Sequence, residues 1–250
     1  MFSIKDERFK DDKMDPEQQS VAKEFDLYNK SYEATVNDSL PFAKADFFTR
    51  VKIDYFLDIL KSHDIEPNTA KVLDMGCGIG MYHSSLKTKL GSLHGIDVSS
   101  DCIEQAKAMN EGVLYESYNG GTLPYADNSF DTILVVCVMH HVPLKGRSEF
   151  MDEMLRVLKP SGLGIMFEHN PKNPLTMRVV NNCPFDADAV LLKSGTAEKL
   201  FYESGFETPK SRFILSVPPP NKALRSIDRL FSKLPFGAQY YTIARKPQSI

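Results

Sequence analysis

"VLDMGCGIG", residues 72–80, carries an apolar run straight into glycines at positions 76, 78 and 80. Val72 to Met75 reads as a strand and Met81 to Leu90 as a helix, so the glycines form the turn between them. Glycine lets the backbone turn sharply and lets a ligand touch the main chain where a Cβ would collide. The dinucleotide fingerprint G-x-G-x-x-G sets its third glycine one position later, and its pyrophosphate disfavours a carboxylate nearby. Asp74, two residues before Gly76, instead predicts a ligand that is cationic or neutral at that place. A tight turn with no ligand is the alternative reading of the loop, and it loses ground once the acid of the second strand is counted.

That second strand reads as Ser92 to Asp97. A carboxylate at its end can accept two hydrogen bonds from the hydroxyls of a ribose. Ser100 to Asn110 follows as a helix, with Asp101 and Glu104 spaced like a capping pair. Val113 to Tyr118 and Phe130 to Cys137 read as strands. The run Ile133, Leu134, Val135, Val136 is apolar on both faces, as a strand covered on both sides of a parallel sheet must be. Phe150, Met151, Met154, Leu155 and Leu158 form a helical stripe that stops at Lys159-Pro160-Ser161-Gly162, before a strand Leu163 to Glu168. Thr196 to Ser204 reads as a helix, Phe213 to Val217 and Gln239 to Ala244 as strands, and Leu224, Ile227, Leu230 and Phe231 as an amphipathic stretch between them. Phe47, Phe48, Val51, Tyr55, Phe56 and Ile59 mark a helical lead-in. The expected architecture is α/β, a doubly wound sheet with helices on both faces and an antiparallel last strand.

A chain of 250 residues with 42% hydrophobic content can bury one large core, so one domain with additions is expected. The formal charge of −3 and a pI near 6.1 give no broad positive field, which sets nucleic acid aside as a partner. The densely charged first residues lack the apolar centre of a secretory signal, and no apolar run approaches the length of a membrane span. The reading is therefore a cytoplasmic protein, with a homodimer compatible. Residues 1–40 read as a polar leader, partly disordered, and an N-terminal lid; residues 41–250 read as the main domain. Cys77, Cys102, Cys137 and Cys183 have no paired C-x-x-C spacing and read as reduced packing thiols.

Taken together, "VLDMGCGIG", Asp97 in "LHGIDVSS", "LPYADNSFDTILVVCVMHHV" and "EMLRVLKPSG" resemble, in order, the motifs of class I S-adenosylmethionine-dependent methyltransferases. The resemblance implies a Rossmann-like sheet of seven strands and S-adenosyl-L-methionine as cofactor. It implies that Asp74, Gly76, Cys77, Gly78 and Gly80 cradle the amino-acid end of the cofactor, with Cys137 beside them. Asp97 and Val98 would hold the ribose, and Asn119, Gly120 and Leu123 would flank the adenine. Many members of the family carry aspartate where this chain has Asn119. Tyr32 would lid the cofactor and Tyr28 would face the acceptor, although both can equally be core aromatics.

Methyl transfer from a sulfonium is an in-line displacement, and a general base is required only when the acceptor keeps its proton at neutral pH. Open α/β sheets bind ligands at the carboxyl ends of their strands. That selects His140 and His141 after the fourth strand, and Glu168 and His169 after the fifth. His169 is the favoured base, with His141 as partner or alternate; a surface or capping role is its bland alternative. Metal binding by His140 and His141 is set aside, because adjacent side chains generally diverge and no third ligand is evident.

The stretch after His169, "NPKNPLTMRVVNNCPFDADAVLL", is long for a connection in a compact domain. It reads as a substrate-lid insert at about residues 169–193 that carries a short helix or acts as a loop. Arg178, Asn181, Asn182, Asp186 and Asp188 offer polar contacts there, Arg178 and Asn182 foremost. The expected partner is a small-molecule methyl acceptor, methylated at oxygen, with a sugar or glycan precursor preferred and an aromatic or quinone-type acceptor as the rival. A nonenzymatic cofactor-binding module and a nucleotide-dependent oxidoreductase are the readings from other classes.

Overall fold

The computed structural model describes residues 14, 16–28, 45–186, 189–217 and 222–248. Strands β1 (Lys71–Met75), β2 (Ser92–Asp97), β3 (Leu114–Ser117), β4 (Phe130–Val136), β5 (Leu158–His169), β6 (Glu207–Ile214) and β7 (Gln239–Arg245) form one sheet in the order β3-β2-β1-β4-β5-β7-β6. β7 runs antiparallel to β5 and β6, and the remaining pairings are parallel. Eight α-helices are described: α1 (Pro16–Tyr28), α2 (Ala45–Ser62), α3 (His83–Leu86), α4 (Ser100–Met109), α5 (Arg147–Val157), α6 (Pro174–Asn182), α7 (Ser194–Glu203) and α8 (Lys222–Leu230). None of the described helices is long and apolar enough to cross a membrane.

Alternation along the central strands sorts their side chains into two cores. Val72, Leu134, Ile165 and Phe167 pack on one face with Tyr55, Phe56 and Leu60 of α2 and Ile103 of α4. Leu73, Ile133, Val135 and Met166 pack on the other with Met151 and Met154 of α5 and Phe201 of α7. Successive residues of a strand face opposite ways, so a strand covered on both sides must be apolar at every position. Each such side chain contributes roughly 1.5–3 kcal/mol on burial.

Several boundaries differ from the sequence expectation, each for a local reason. The helix expected over Met81 to Leu90 shrinks to α3 and a 3-10 turn, Lys87–Lys89. His83 is drawn inside, with its ring nitrogens 2.8 Å from Asp74 and 2.6 Å from Tyr115. The cap of α4 is Ser99, not Asp101 with Glu104: the extended Ser99 accepts a bond from the Cys102 N–H at 3.0 Å. β5 starts at Leu158, with Ser161 at φ +63° inside it, so the Lys-Pro-Ser-Gly stretch is an irregular strand entry. β6 lies earlier than Phe213 to Val217 because it is an edge strand whose outward residues are polar, which hides it from a search for apolar runs. The leader also holds α1, with Ala22 buried.

Residues 215–217, expected as strand, give their N–H groups to one carboxylate instead. Asp228 of α8 is fully buried and accepts from Leu215, Ser216 and Val217 at 2.8–3.0 Å and from the Tyr55 hydroxyl at 2.7 Å. Asp228→Ala would strand four donors, so it should destabilise the protein by about 2–5 kcal/mol. Asp228→Asn, which keeps one acceptor, should cost less; urea unfolding of the two variants checks the order.

Candidate active site

Strand order reverses between β1 and β4, and in open α/β sheets the crevice at such a reversal is where ligands sit. A cavity of about 260 Å³ opens there, at the carboxyl ends of β1, β4 and β5. Its floor is the glycine loop after β1, its walls are the turns after β2 and β4, and Gln18 and Val21 of α1, Phe48 and Lys52 of α2 and Val179 of α6 close over it.

The three glycines of the loop have different reasons. All three have positive φ, at +83°, +51° and +66° for Gly76, Gly78 and Gly80. A Cβ on Gly76 would lie 2.6 Å from Val138, and one on Gly80 would lie 2.5 Å from the Tyr115 hydroxyl, so those two serve packing. A Cβ on Gly78 would meet nothing within 4 Å. It would project into open space, and Gly78 lines the cavity.

Asp74 stands behind the loop, fully buried and away from the cavity wall. Its Oδ2 accepts from the Tyr82 hydroxyl at 2.5 Å and meets His83 Nε2 at 2.8 Å, whereas Oδ1 has no partner among the described residues. Asp97 does line the cavity. Its oxygens accept from the Gly78 N–H at 2.8 Å and the Ser99 N–H at 3.0 Å. Burial raises its carboxyl, and these two N–H bonds oppose that rise. Each oxygen keeps a second lone pair for a ligand.

At the other end of the cavity, Glu168 ends β5 fully buried. One oxygen accepts the Met139 N–H at 2.9 Å and the other lies 2.5 Å from His140 Nδ1. Residues 139–141 form a turn after β4, so the neighbouring side chains are not thrown to opposite sides as they would be in a strand. His140 and His141 have ring centroids 4.2 Å apart, and both present Nε2 to Asp186 Oδ1, at 3.4 and 3.6 Å. The convergence of His140, His141 and Asp186 corrects the expectation that adjacent histidines diverge and find no third ligand. Burial alone would lower His140, but Glu168 and Asp186 outweigh it and raise the imidazole to about 10. Burial and the neighbouring His140 hold His141 down at about 3.

His169 also lines the cavity, with its ring 5.3 Å from that of His140 and Nδ1 3.5 Å from Gln239 Nε2. Next to it Cys137 adopts φ +57° as the chain leaves β4, which turns its thiol toward Lys52 Nζ at 3.7 Å. Burial would raise this thiol, but Lys52 and His169 overcome it and bring it down to about 7.

Of the residues singled out from sequence, Gly76, Cys77, Gly78, Asp97, Val98, Cys137, His140, His141 and His169 line this one cavity. Gly80 and Glu168 support it from behind. Leu123 is fully buried in the core, and the wall expected from Asn119 and Gly120 is supplied by Tyr118 and Gln18. Arg178 and Asn182 stand exposed: α6 turns Val179 and Cys183 inward, so its polar residues lie on the opposite side. The side chain of Tyr28, and Tyr32 and Asp188 altogether, lie outside the described residues. Lys52, Tyr82, Phe150 and Gln239 were missed. Lys52 sits between apolar positions of a helix and Gln239 opens a strand, so only their neighbours in space reveal them.

The Cys137 environment makes a measurable claim. A thiol lowered to about 7 is substantially thiolate at neutral pH. Burial raises Cys77, and it raises Cys102 to about 12, so both stay protonated there. Iodoacetamide should therefore label Cys137 ahead of Cys77 and Cys102, with a rate rising through pH 6 to 8, and Lys52→Met should slow it several-fold; peptide mass spectrometry reads the sites. Equal labelling of the three would remove the assigned role of Lys52.

Residues 73–166 match the family model described as a methyltransferase domain. The chain is 38% identical over 99 residues to methyltransferase GfsG of Streptomyces halstedii, covering 37% of this chain and 35% of that protein. It is 26% identical over 119 residues to a ubiquinone biosynthesis O-methyltransferase of Rickettsia bellii, covering 46% of this chain and 49% of that one. The matched region thus spans between about a third and a half of these curated relatives. The solved structure of the [4+2]-cyclase SpnF superposes with a TM-score of 0.63 at 17% identity, over 94% of this chain and 98% of that one, a likeness of fold alone. Motif order, strand order and the matched region agree: residues 73–166 carry a methyltransferase domain, on a seven-stranded sheet like that of class I S-adenosylmethionine-dependent methyltransferases.

Proposed function

We propose that this protein methylates a hydroxyl oxygen of a small organic acceptor, with S-adenosylmethionine as donor. The observation that carries the reading is one continuous cavity with Gly78 and Asp97 at one end and His140, His141 and His169 at the other. The first end fits the cofactor. Gly78 leaves open space for it and Asp97 has lone pairs for ribose hydroxyls, while Asp74 backs the loop from behind. Tyr118 and Gln18 take the adenine-side wall in this reading, in place of Asn119 and Gly120.

When bound, S-adenosylmethionine supplies an electrophilic methyl group on a sulfonium. The chain supplies position, dryness and a base. His169 is assigned as the base: it faces the cavity, and Gln239 holds its Nδ1, so Nε2 is the nitrogen left to take a proton. For that role Nδ1 must carry hydrogen and find an acceptor. Gln239 Oε1, buried and unpartnered among the described residues, becomes that acceptor when the amide turns over.

Phe48, Tyr82 and Val179 also line the cavity. Their apolar surface shifts the preference from a glycan to a hydroxylated acceptor with an apolar body, a phenol or quinol type. The name of the Rickettsia relative, a ubiquinone biosynthesis O-methyltransferase, points the same way. A sugar acceptor is the second reading, favoured by Lys52, Gln239 and Asp186 on the same wall. α1, the helix described within residues 1–40, and the insert at 169–193 act as lids in this reading; α1 and α6 both border the cavity.

Two variants separate binding from chemistry. Asp97→Ala should weaken S-adenosylhomocysteine binding by about 10- to 100-fold, since each charge-assisted bond lost costs roughly 1.5–3 kcal/mol. His169→Ala should leave that affinity within about two-fold and lower kcat by about 10²–10⁴-fold, the usual worth of a general base. Calorimetry and release of S-adenosylhomocysteine on a panel of phenols, quinols and sugars read both. Tight cofactor binding with no turnover on any acceptor would favour a nonenzymatic module.

A further inference from the structure

His140, His141 and Asp186 present three donor atoms that all lie within 4.8 Å of one another. Two of these separations, 3.4 Å from Asp186 Oδ1 to His140 Nε2 and 3.6 Å to His141 Nε2, match the edge of a coordination shell. Ligands about 2.0–2.1 Å from a tetrahedral zinc ion stand roughly 3.4 Å apart. At 3.4–3.6 Å these contacts are also long for direct hydrogen bonds between charged partners. The donors converge on a point without quite touching, as ligands around an ion do.

Support behind the donors has the same character. Glu168, fully buried, grips His140 by Nδ1 at 2.5 Å and so aims its Nε2 at Asp186. A carboxylate on the far nitrogen of a histidine is the usual outer partner of a metal-ligating imidazole, fixing its orientation and its basicity. Charge balance agrees. Glu168 and Asp186 face the histidine pair, and among the described residues neither makes an ion pair with lysine or arginine. The donors belong to separate elements, the turn after β4 and the 3-10 turn Pro184–Asp186 after α6, which a shared ion would clamp together.

We propose that His140, His141 and Asp186 bind one divalent first-row transition cation, with Glu168 as the positioning residue behind His140. Two imidazoles and one carboxylate suit zinc and its neighbours better than magnesium or calcium, which prefer all-oxygen sites. All three ligands line the cavity, so the remaining coordination positions face the acceptor. The catalytic consequence rests on the reading of this protein as an O-methyltransferase. The acceptor hydroxyl coordinates the ion and gives its proton to His169. Its oxygen then bonds to the methyl carbon as the carbon–sulfur bond breaks, and the sulfur leaves as a neutral thioether. The ion acts as a Lewis acid that makes the bound hydroxyl easier to ionise.

The test is Co²⁺ binding to the full chain after dialysis against a chelator, followed by visible absorption and calorimetry. The expected result is one equivalent bound at micromolar affinity or tighter, with the d–d bands of a four- or five-coordinate site. Zn²⁺ should displace Co²⁺ and millimolar Mg²⁺ should not. His141→Ala and Asp186→Asn should weaken binding at least 30-fold, Glu168→Gln by about 10- to 100-fold, and His63→Ala, away from the cavity, should change nothing. Thermal unfolding of the metal-free variants shows that they are folded, and Asp186→Asn preserves the shape of the side chain. Absence of the bands, or equal affinity in wild type and all four variants, overturns the proposal. Because this readout needs neither cofactor nor acceptor, it stands or falls separately from the methyltransferase reading. If the site binds Co²⁺ but chelation leaves turnover unchanged, the proposed Lewis-acid role is overturned and the binding site stands.

Discussion

Glu168 ends the fifth strand with its carboxylate wholly out of water, and a charge in that position must be matched or it destabilises the fold by several kcal/mol. It is matched by the Met139 N–H and by the His140 imidazole, both from the turn after β4. That pair of bonds ties the carboxyl ends of two neighbouring parallel strands to each other. It also dictates how the β4 turn is wound, and therefore that His140 and His141 lean the same way. The positive φ of Cys137 belongs to the same constraint, since the chain must bend sharply on leaving β4 to bring Met139 over Glu168.

A second buried acid plays the corresponding part on the other side of the strand reversal. Asp74 fixes Tyr82 and His83, and His83 in turn meets Tyr115, so the glycine loop is backed by a buried polar chain. The consequence is a division of labour among three glycines that look alike in sequence. Gly80 accommodates the polar chain, Gly76 makes room for Val138 at the cavity wall, and Gly78 leaves open space in the cavity. The cavity is thus a space between two anchored edges, bridged by α1, α2 and α6, whose side chains give it both apolar flanks and a polar floor. Likeness to a cyclase of the same fold shows that the sheet alone does not name the chemistry; the side chains at the strand ends must do so.

Much of the fold was legible before any coordinates, because the features that signal it are local. Ile133 to Val136 are apolar at every position, and this alone places β4 in the middle of a parallel sheet. The features that failed were those set by a partner elsewhere in the chain. β6 carries too little apolar sequence to stand out, since one of its edges is open. Residues 215–217 look like strand, but Asp228 takes their N–H groups. Arg178 and Asn182 looked available for contacts, but the register of α6 points Val179 and Cys183 at the cavity instead.

The sequence by itself determined the doubly wound sheet, the loop that lines the cavity and the acid at the end of β2, because strand periodicity, glycine spacing and a strand-end carboxylate are properties of neighbours along the chain. Only the tertiary structure decided what His140, His141 and Asp186 are to one another. Their donors meet across an intervening strand and two helices, and the meeting depends on a bond from Glu168 that no spacing in the sequence encodes. Lys52 and Gln239 join Cys137 and His169 for the same reason. Distances through space, set by packing of elements far apart in the chain, turn a row of separate polar residues into a site.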